Sequence, residues 1–422
     1  MTAILLILVA FILLYVAYQG KVGYYAGFSL FFFSIPISLF YVTSSALFSF
    51  NAIIHAAFYF ILLLWQFNYY SWRNAFHFLK NPVVLSVLAI VVIILLYNDF
   101  SPYYHTYKTT IDQAQFSFFS HVLFPFLILP LILPDCYSRE EMVASIPIWG
   151  IIYIIVLMVS FSISSDIISN RGVLADSTGG TTGSIALSRI SATVIIVIVM
   201  RIIASGYKQK YELYGLIIEC VLFVLVMLLA GQRGTLIGLC VALSALFLRK
   251  EWRRHSFLIA GIGLLVVLIL FTFIDFGQFQ IFQRFSQFQH IETFQRYHDY
   301  GRTWEIFKDN DFLWGLGSKG YFFRTGRPWP HNIILEHISD YGLFGLLCII
   351  ILLYFCCRYT ITLIRHSDNT TDLSIACCWI VLCFSAMVSS SILSHYHFYI
   401  FSGLLVLTYQ DFQRQPSSDI SE

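Results

Sequence analysis

A chain of 422 residues in which 58% of side chains are hydrophobic and only 11% charged lies far from the roughly 25% charge of an average soluble domain, so a soluble globular protein is excluded. The formal net charge of +2 points to neither nucleic acid nor an acidic partner, and the position of charge says more than its sum. Apolar runs of about 17–23 residues, each able to cross roughly 30 Å of hydrocarbon, recur from Ile4 to Tyr409 without the period-two alternation of a membrane barrel. The sequence therefore predicts an all-α polytopic membrane protein.

In chain order, helices are expected near 2–18, 22–43, 46–65, 81–97, 116–134, 143–164, 187–206, 211–230, 234–248, 256–275, 333–357, 374–394 and 397–410, which makes about 12–13 spans. The run after Met1 has neither a basic leader nor a small-residue cleavage site and reads as a retained span rather than a signal peptide. Lys208, Lys210, Arg249, Lys250, Arg253, Arg254, Arg358 and Arg365 mark short basic loops, which the positive-inside rule puts in the cytoplasm. Lys21, Arg73, Lys80, Arg139 and Arg414 fall on the same side, leaving Lys108, Arg171 and Arg189 at other short outer connections.

That orientation divides the chain into N-terminal spans (1–275), a long outer loop (276–332), C-terminal spans (333–410) and a cytoplasmic tail (411–422). The loop carries Arg284, Arg296, Arg302, Lys308, Lys319, Arg324 and Arg327, facing outward against the usual bias. Long loops translocate regardless of charge, and a loop of this length in a compact fold is usually functional. Its charge calls for an anionic ligand. There is no Walker A motif and no internal repeat. The nine cysteines form neither a disulfide framework nor a CxxC site, and the adjacent pairs Cys356/Cys357 and Cys377/Cys378 read as small residues between packed helices.

Three clusters can carry chemistry. Gln232-Arg233-Gly234 is a polar break between two apolar helices. Its arginine either snorkels to the interface or holds a planar guanidinium at the membrane boundary, where it can bind phosphate oxygens bidentately. Gly301-Arg302-Thr303-Trp304 opens a short amphipathic helix, followed by Trp314-Gly315-Leu316-Gly317, whose glycines allow a tight turn. His331-Asn332 precedes a helix running through Glu336 and His337 to Leu343-Phe344-Gly345. Asn332 is suited to cap that helix, and a histidine beside the free N–H groups of a helix start stays neutral and can serve as a general base. The alternative for His331 is an ordinary interfacial histidine.

Arg171, Arg324 and Arg327 are candidate secondary contacts to phosphate or sugar, against the alternative of solvated loop charges. Trp314, Tyr321, Phe322, Phe323 and Trp329 can stack on sugar rings or seat the loop on the membrane. Glu219, Arg189 and Arg201 read as structural partners of one another. Asp309-Asn310-Asp311 matches the DxD pattern of metal-assisted sugar transfer but is too short to carry weight. The spacing of His331, Glu336 and His337 does not match a zinc-protease motif.

These clusters, in this order on a many-helix chain, resemble the O-antigen polymerase and O-antigen ligase superfamily. The resemblance rests on Gln232-Arg233-Gly234, Gly301-Arg302-Thr303-Trp304, Gly315-Leu316-Gly317 and His331-Asn332 through Leu343-Phe344-Gly345. It implies a GT-C-like helical fold in the bacterial inner membrane. It also implies an inverting glycosyltransferase, free of metal and other cofactors, that acts on undecaprenyl-diphosphate-linked oligosaccharide at the periplasmic face. Arg233 and Arg302 would then grip the diphosphate and His331 would remove the acceptor proton, with Arg171, Arg324, Arg327, Trp304, Asn332 and Glu336 as supporting substrate contacts. The spacing from Gly317 to His331 favours a polymerase, joining repeat units, over a ligase that transfers glycan to the lipid A core. A polymerase implies a chain-length regulator protein as partner. A transporter of the same lipid-linked glycan is the reading from another class, but transporters are typically built from paired repeats.

Overall fold

The computed structural model of the chain describes residues 23, 26–27, 77–97, 101–133, 136–163, 182–204, 210–230, 232–249, 292–309, 312–327, 329–388 and 395–414. The spans expected near 2–18, 46–65 and 256–275, nearly all of the one near 22–43, and Arg171 with its connection lie outside the described residues. Among the described residues the regular structure is helical throughout. In order these are α1 (Pro82–Tyr97), α2 (Tyr104–Phe118), α3 (Phe124–Ile132), α4 (Cys136–Ile163), α5 (Thr182–Ala204), α6 (Lys210–Ala230), α7 (Arg233–Ala245), α8 (Glu292–Asp309), α9 (Gly320–Thr325), α10 (Ile333–His366), α11 (Thr370–Val388) and α12 (Tyr396–Arg414). A wide turn over Phe119–Leu123 joins α2 to α3.

Leu187–Ala204, Tyr211–Leu228, Ile333–His366 and Thr370–Val388 are long and apolar enough to cross a bilayer, with Pro82–Leu96 and Gly234–Leu248 as shorter apolar helices. The protein is an all-α polytopic membrane protein. Helices α5 and α11 are buried at its centre, whereas α6 turns Tyr211, Tyr214 and Ile218 outward and α10 turns out Leu347, Ile350 and Tyr354. An apolar face without protein cover is what a helix presents to lipid.

Helix α7 lies against α11 at backbone distance because Gly234 and Gly238 face it. A methyl group on Gly238 would sit 2.9 Å from the Val381 carbonyl oxygen, and one on Gly234 only 1.7 Å from a Val388 methyl. Small residues one turn apart are how membrane helices gain close packing. The glycine beside Arg233 thus has a packing reason of its own. Gly238→Leu is expected to force the two helices apart and cost about 1–3 kcal/mol, read as a lowered thermal midpoint in detergent. Gly215→Leu on outward-facing α6, where an added methyl meets nothing within 4 Å, should not lower the midpoint.

Polar joints fix the helices at both ends. Asn81 caps α1 by accepting from the Val83 N–H at 3.0 Å, while its amide donates to the Tyr359 hydroxyl of α10 at 3.1 Å. Buried Arg139, at the start of α4, pairs with Asp411 near the end of α12. Arg249, just past α7, donates to the Ser367 carbonyl and pairs with Asp368 between α10 and α11. These joints bring Arg139 and Arg249, two of the cations expected on the cytoplasmic side, to one end of the bundle. Toward the other end, buried Arg189 of α5 donates from Nε to the Ser385 hydroxyl of α11 at 2.8 Å, and the Thr235 hydroxyl of α7 donates to the same oxygen at 3.3 Å. Arg189 therefore ties three helices together instead of pairing with Glu219, whose charged neighbour is Arg201.

Candidate functional site

The site is built around a break in α10. At 34 residues a straight α10 would be about 51 Å long, well beyond the roughly 30 Å of hydrocarbon. Gly342 interrupts it with φ 60° and ψ −148°, a conformation open essentially to glycine alone. The remaining stretch to His366 is about 36 Å long, a fit for one span. The first two turns, Ile333–Tyr341, are set off as a separate element at the membrane boundary.

A loop repairs that break. In an unbroken helix the Ser339 and Asp340 carbonyls would accept from the N–H groups of Leu343 and Phe344. Here they accept instead from Leu316 at 3.0 Å and Gly317 at 2.7 Å, while the freed N–H groups donate to the carbonyls of Phe312 at 2.9 Å and Leu313 at 3.3 Å. These four backbone groups released by the kink are taken up by residues 312–317, avoiding about 1–3 kcal/mol for each one left buried and unpaired. Gly315, at φ 76°, is what permits the approach, since a methyl on it would lie 2.5 Å from the Gly342 nitrogen.

Side chains extend the graft. The Asp340 carboxylate accepts from the backbone N–H groups of Lys319 at 3.0 Å and Tyr321 at 3.1 Å, fixing the start of α9. Burial pulls the Lys319 ammonium below the ordinary lysine range, while the nearby Asp340 and Glu336 carboxylates push it back up. Across the loop, Ser101 donates to the Leu316 carbonyl at 2.6 Å, and Tyr107 stacks on Phe323 with centroids 4.3 Å apart.

Helix α8 buries Asp299, Thr303, Ile306 and Phe307 on one face and exposes Arg302, Trp304, Glu305 and Lys308 on the other. The buried Asp299 carboxylate accepts from the Tyr321 hydroxyl at 3.2 Å and from the Arg327 guanidinium at 2.5 Å. Burial first, and Asp299 next, hold the Tyr321 hydroxyl above the ordinary phenol range, so it remains a proton donor. Arg327 is thus engaged in joining α8 to the segment that leads to His331. Arg302 and Arg324, by contrast, are exposed and have no hydrogen-bond or ion-pair partner among the described residues. Exposed Trp304 packs on Phe307 at 5.5 Å and carries the Lys308 ammonium 5.4 Å from its ring centroid.

Asn332 caps α10 as its residue type predicts, its side chain accepting from the N–H groups of Ile334 at 2.9 Å and Leu335 at 3.2 Å. His331, just before the cap and partly exposed, has φ 59°. Its Nδ1 accepts from the Trp329 indole N–H at 3.1 Å. Glu336 is buried in the first turns of α10. His337 is fully buried, with Nδ1 2.7 Å from the Ile333 carbonyl and Nε2 3.5 Å from the Tyr399 hydroxyl of α12. The structure therefore gathers His331, Asn332 and Glu336 at one helix start, and packs α8, the helix of Arg302, against that same α10. Arg233 opens α7, but its side chain lies outside the described part, as do those of Asp309, Asn310 and Asp311.

A helix that exposes Arg302 and Lys308 beside a capped helix start suits a substrate with an anionic group. The matched sequence now adds the class. Residues 218–350 match the O-antigen ligase family model. The chain carries an O-antigen ligase-like domain. The matched segment runs from within α6 past the kink of α10 and contains α8, residues 312–317, α9 and the start of α10, which supports a place in the O-antigen polymerase and ligase superfamily. The O-antigen ligase-like domain implies a glycosyl-transferring membrane enzyme of that type. No curated protein matches the chain.

Arg302, Asn332, Glu336 and His331 stand out in the sequence by residue type and place, whereas Asp299 and Asp340, the two carboxylates that hold the loop, do not. The signal available for Asp340 was its place directly before Tyr341-Gly342; Asp299 had none beyond its spacing from the apolar face of α8.

Proposed function

We propose that the protein is a membrane glycosyltransferase that polymerises undecaprenyl-diphosphate-linked oligosaccharide repeat units at the periplasmic face of the bacterial inner membrane. The observation that carries this reading is the grafted wall within the family-matched segment, which presents exposed Arg302 on α8 and partly exposed His331 at the start of α10. In this reaction the acceptor hydroxyl oxygen bonds to C1 of the donor sugar as the C1–O bond to phosphate breaks, and that electron pair leaves with the diphosphate. Arg233 and Arg302 neutralise the charge as it develops, the largest kind of term in such catalysis. His331 meets the reacting oxygens, and the hydroxyl proton leaves by way of it. Trp304, Arg324, Asn332 and Glu336 shape the surroundings, and Arg327 supports them through Asp299. A chain-length regulator is the expected protein partner.

A ligase transferring the glycan to the lipid A core is the second reading, favoured by the description of the matched family. The test is the surface-polysaccharide gel profile of a deletion strain complemented with wild type, Arg233→Ala, Arg302→Ala or His331→Ala. A polymerase leaves core bearing a single repeat unit on deletion, and the three variants fail to restore the ladder. Bare core, with polymerised glycan accumulating on undecaprenyl diphosphate, makes the protein the ligase. A normal ladder after deletion overturns both.

A further inference from the structure

Tryptophan has a donor and no acceptor on its indole nitrogen, and a neutral imidazole carries its single proton on one nitrogen or the other. Since Trp329 Nε1–H points to His331 Nδ1 at 3.1 Å, that nitrogen must present its lone pair, and the ring proton must be on Nε2. The geometry is over-determined. Trp329 and His331 flank buried Pro330, whose ring fixes one backbone angle. His331 itself is held in the left-handed region at φ 59°, a strained conformation that persists only where surroundings enforce it. Asn332 then anchors the following helix. The two rings stand nearly perpendicular, at 79°, with centroids 6.0 Å apart.

We propose that Trp329 is a positioning residue that locks His331 as the neutral Nε2–H tautomer, so that the ring meets an oxygen of the lipid diphosphate as a hydrogen-bond donor. The tautomer follows from the geometry alone; the diphosphate as its ligand rests on the function proposed above. Taking up a proton at Nδ1 would first require the indole N–H to withdraw, which makes proton removal a second, opened state of the same ring. The neighbouring histidine has the opposite arrangement. His337 Nδ1 faces a carbonyl, which can only accept, and its Nε2 is left to accept from Tyr399. Two histidines on one helix start are thereby fixed in different tautomers by different partners.

The test uses the full-length protein in nanodiscs with 15N-labelled histidine and tryptophan. His331 is assigned by the signal lost in His331→Gln, and the protonated ring nitrogen and the coupling across the hydrogen bond to Trp329 are read directly. An unprotonated Nδ1 coupled to the Trp329 indole nitrogen, lost in Trp329→Phe, is expected; a protonated Nδ1, or no coupling, overturns the lock. Binding of undecaprenyl diphosphate then tests the donor. A glutamine places an N–H close to Nε2, so His331→Gln is expected to bind within about threefold of wild type, whereas His331→Ala loses about tenfold or more, the effect of one hydrogen bond to a charged group. Equal losses in both variants overturn the donor role. If wild type itself does not bind undecaprenyl diphosphate, the proposed function and the donor role fall together, and the spectra alone judge the lock.

Discussion

Gly342→Ala is expected to unfold the site, lowering stability by about 3 kcal/mol or more. Two costs add at this position. The backbone at φ 60° and ψ −148° is closed to a residue with a Cβ, and that Cβ would stand 2.6 Å from the Leu313 carbonyl carbon and oxygen. Both neighbours are main chain, held by the exchanged hydrogen bonds, so neither can step aside. If α10 straightened to relieve the clash, the carbonyls and N–H groups of residues 312–317 would lose their partners. The measurement is a thermal melt in detergent followed by size-exclusion chromatography. Gly301→Ala is the control, since a methyl there on exposed α8 meets nothing within 4 Å and should stabilise the helix by about 0.5–1 kcal/mol. A Gly342→Ala protein melting like wild type would remove the kink from the argument.

The second large effect separates two arginines that look alike in sequence. Arg302→Ala is expected to lower glycan transfer by about 10²–10³-fold, the scale seen when one preorganised donor to a developing anion is removed, while the melt stays at the wild-type temperature. Arg302→Lys should recover only part of the rate, because an ammonium replaces the charge without the fork. Arg327→Ala should do the reverse. It leaves the buried Asp299 carboxylate with the Tyr321 hydroxyl as its one remaining donor among the described residues, and breaking such a pair costs about 3–5 kcal/mol when both partners are buried. Arg327 keeps about a third of its side chain in solvent, so roughly half that loss is expected, about 2 kcal/mol. The melt falls and transfer falls with it. Equal rate losses at equal melting temperatures would mean that both arginines bind substrate.

The spans were legible because a membrane demands long apolar runs and says so in composition. The expected boundaries at 81–97 and 211–230 lie within a residue of Pro82–Tyr97 and Lys210–Ala230. Misjudged ends share a cause. Expected to end at 357, α10 continues to His366, and α4, expected from 143, begins at Cys136. In each case charged residues, Arg358 and Arg365 or Arg139 and Glu140, stop the apolar run while the helix goes on into the polar layer. Helix α2 was missed because its mixed composition, Tyr104 through Gln115, offers no apolar run at all. Single residues of the site could be chosen by type: asparagine for a cap, arginine for an anion. Their connections could not. Nothing in Phe312–Gly317 reveals that its backbone completes a helix formed by residues 339–344, and nothing distinguishes Arg327 from Arg324 until Asp299 is seen beneath it.

The exchange between loop and kink also has an order in time. Residues 312–317 leave the ribosome before Ser339, Asp340, Leu343 and Phe344 exist, so their backbone groups must wait on water or lipid headgroups until α10 has been made and threaded. The same holds at the opposite end, where Arg139 waits for Asp411, 272 residues later. Synthesis therefore delivers the motif residues long before it delivers a site. A nascent chain halted ahead of Ser339 would carry Arg302, His331 and both glycines of the turn, and still lack the wall that holds them.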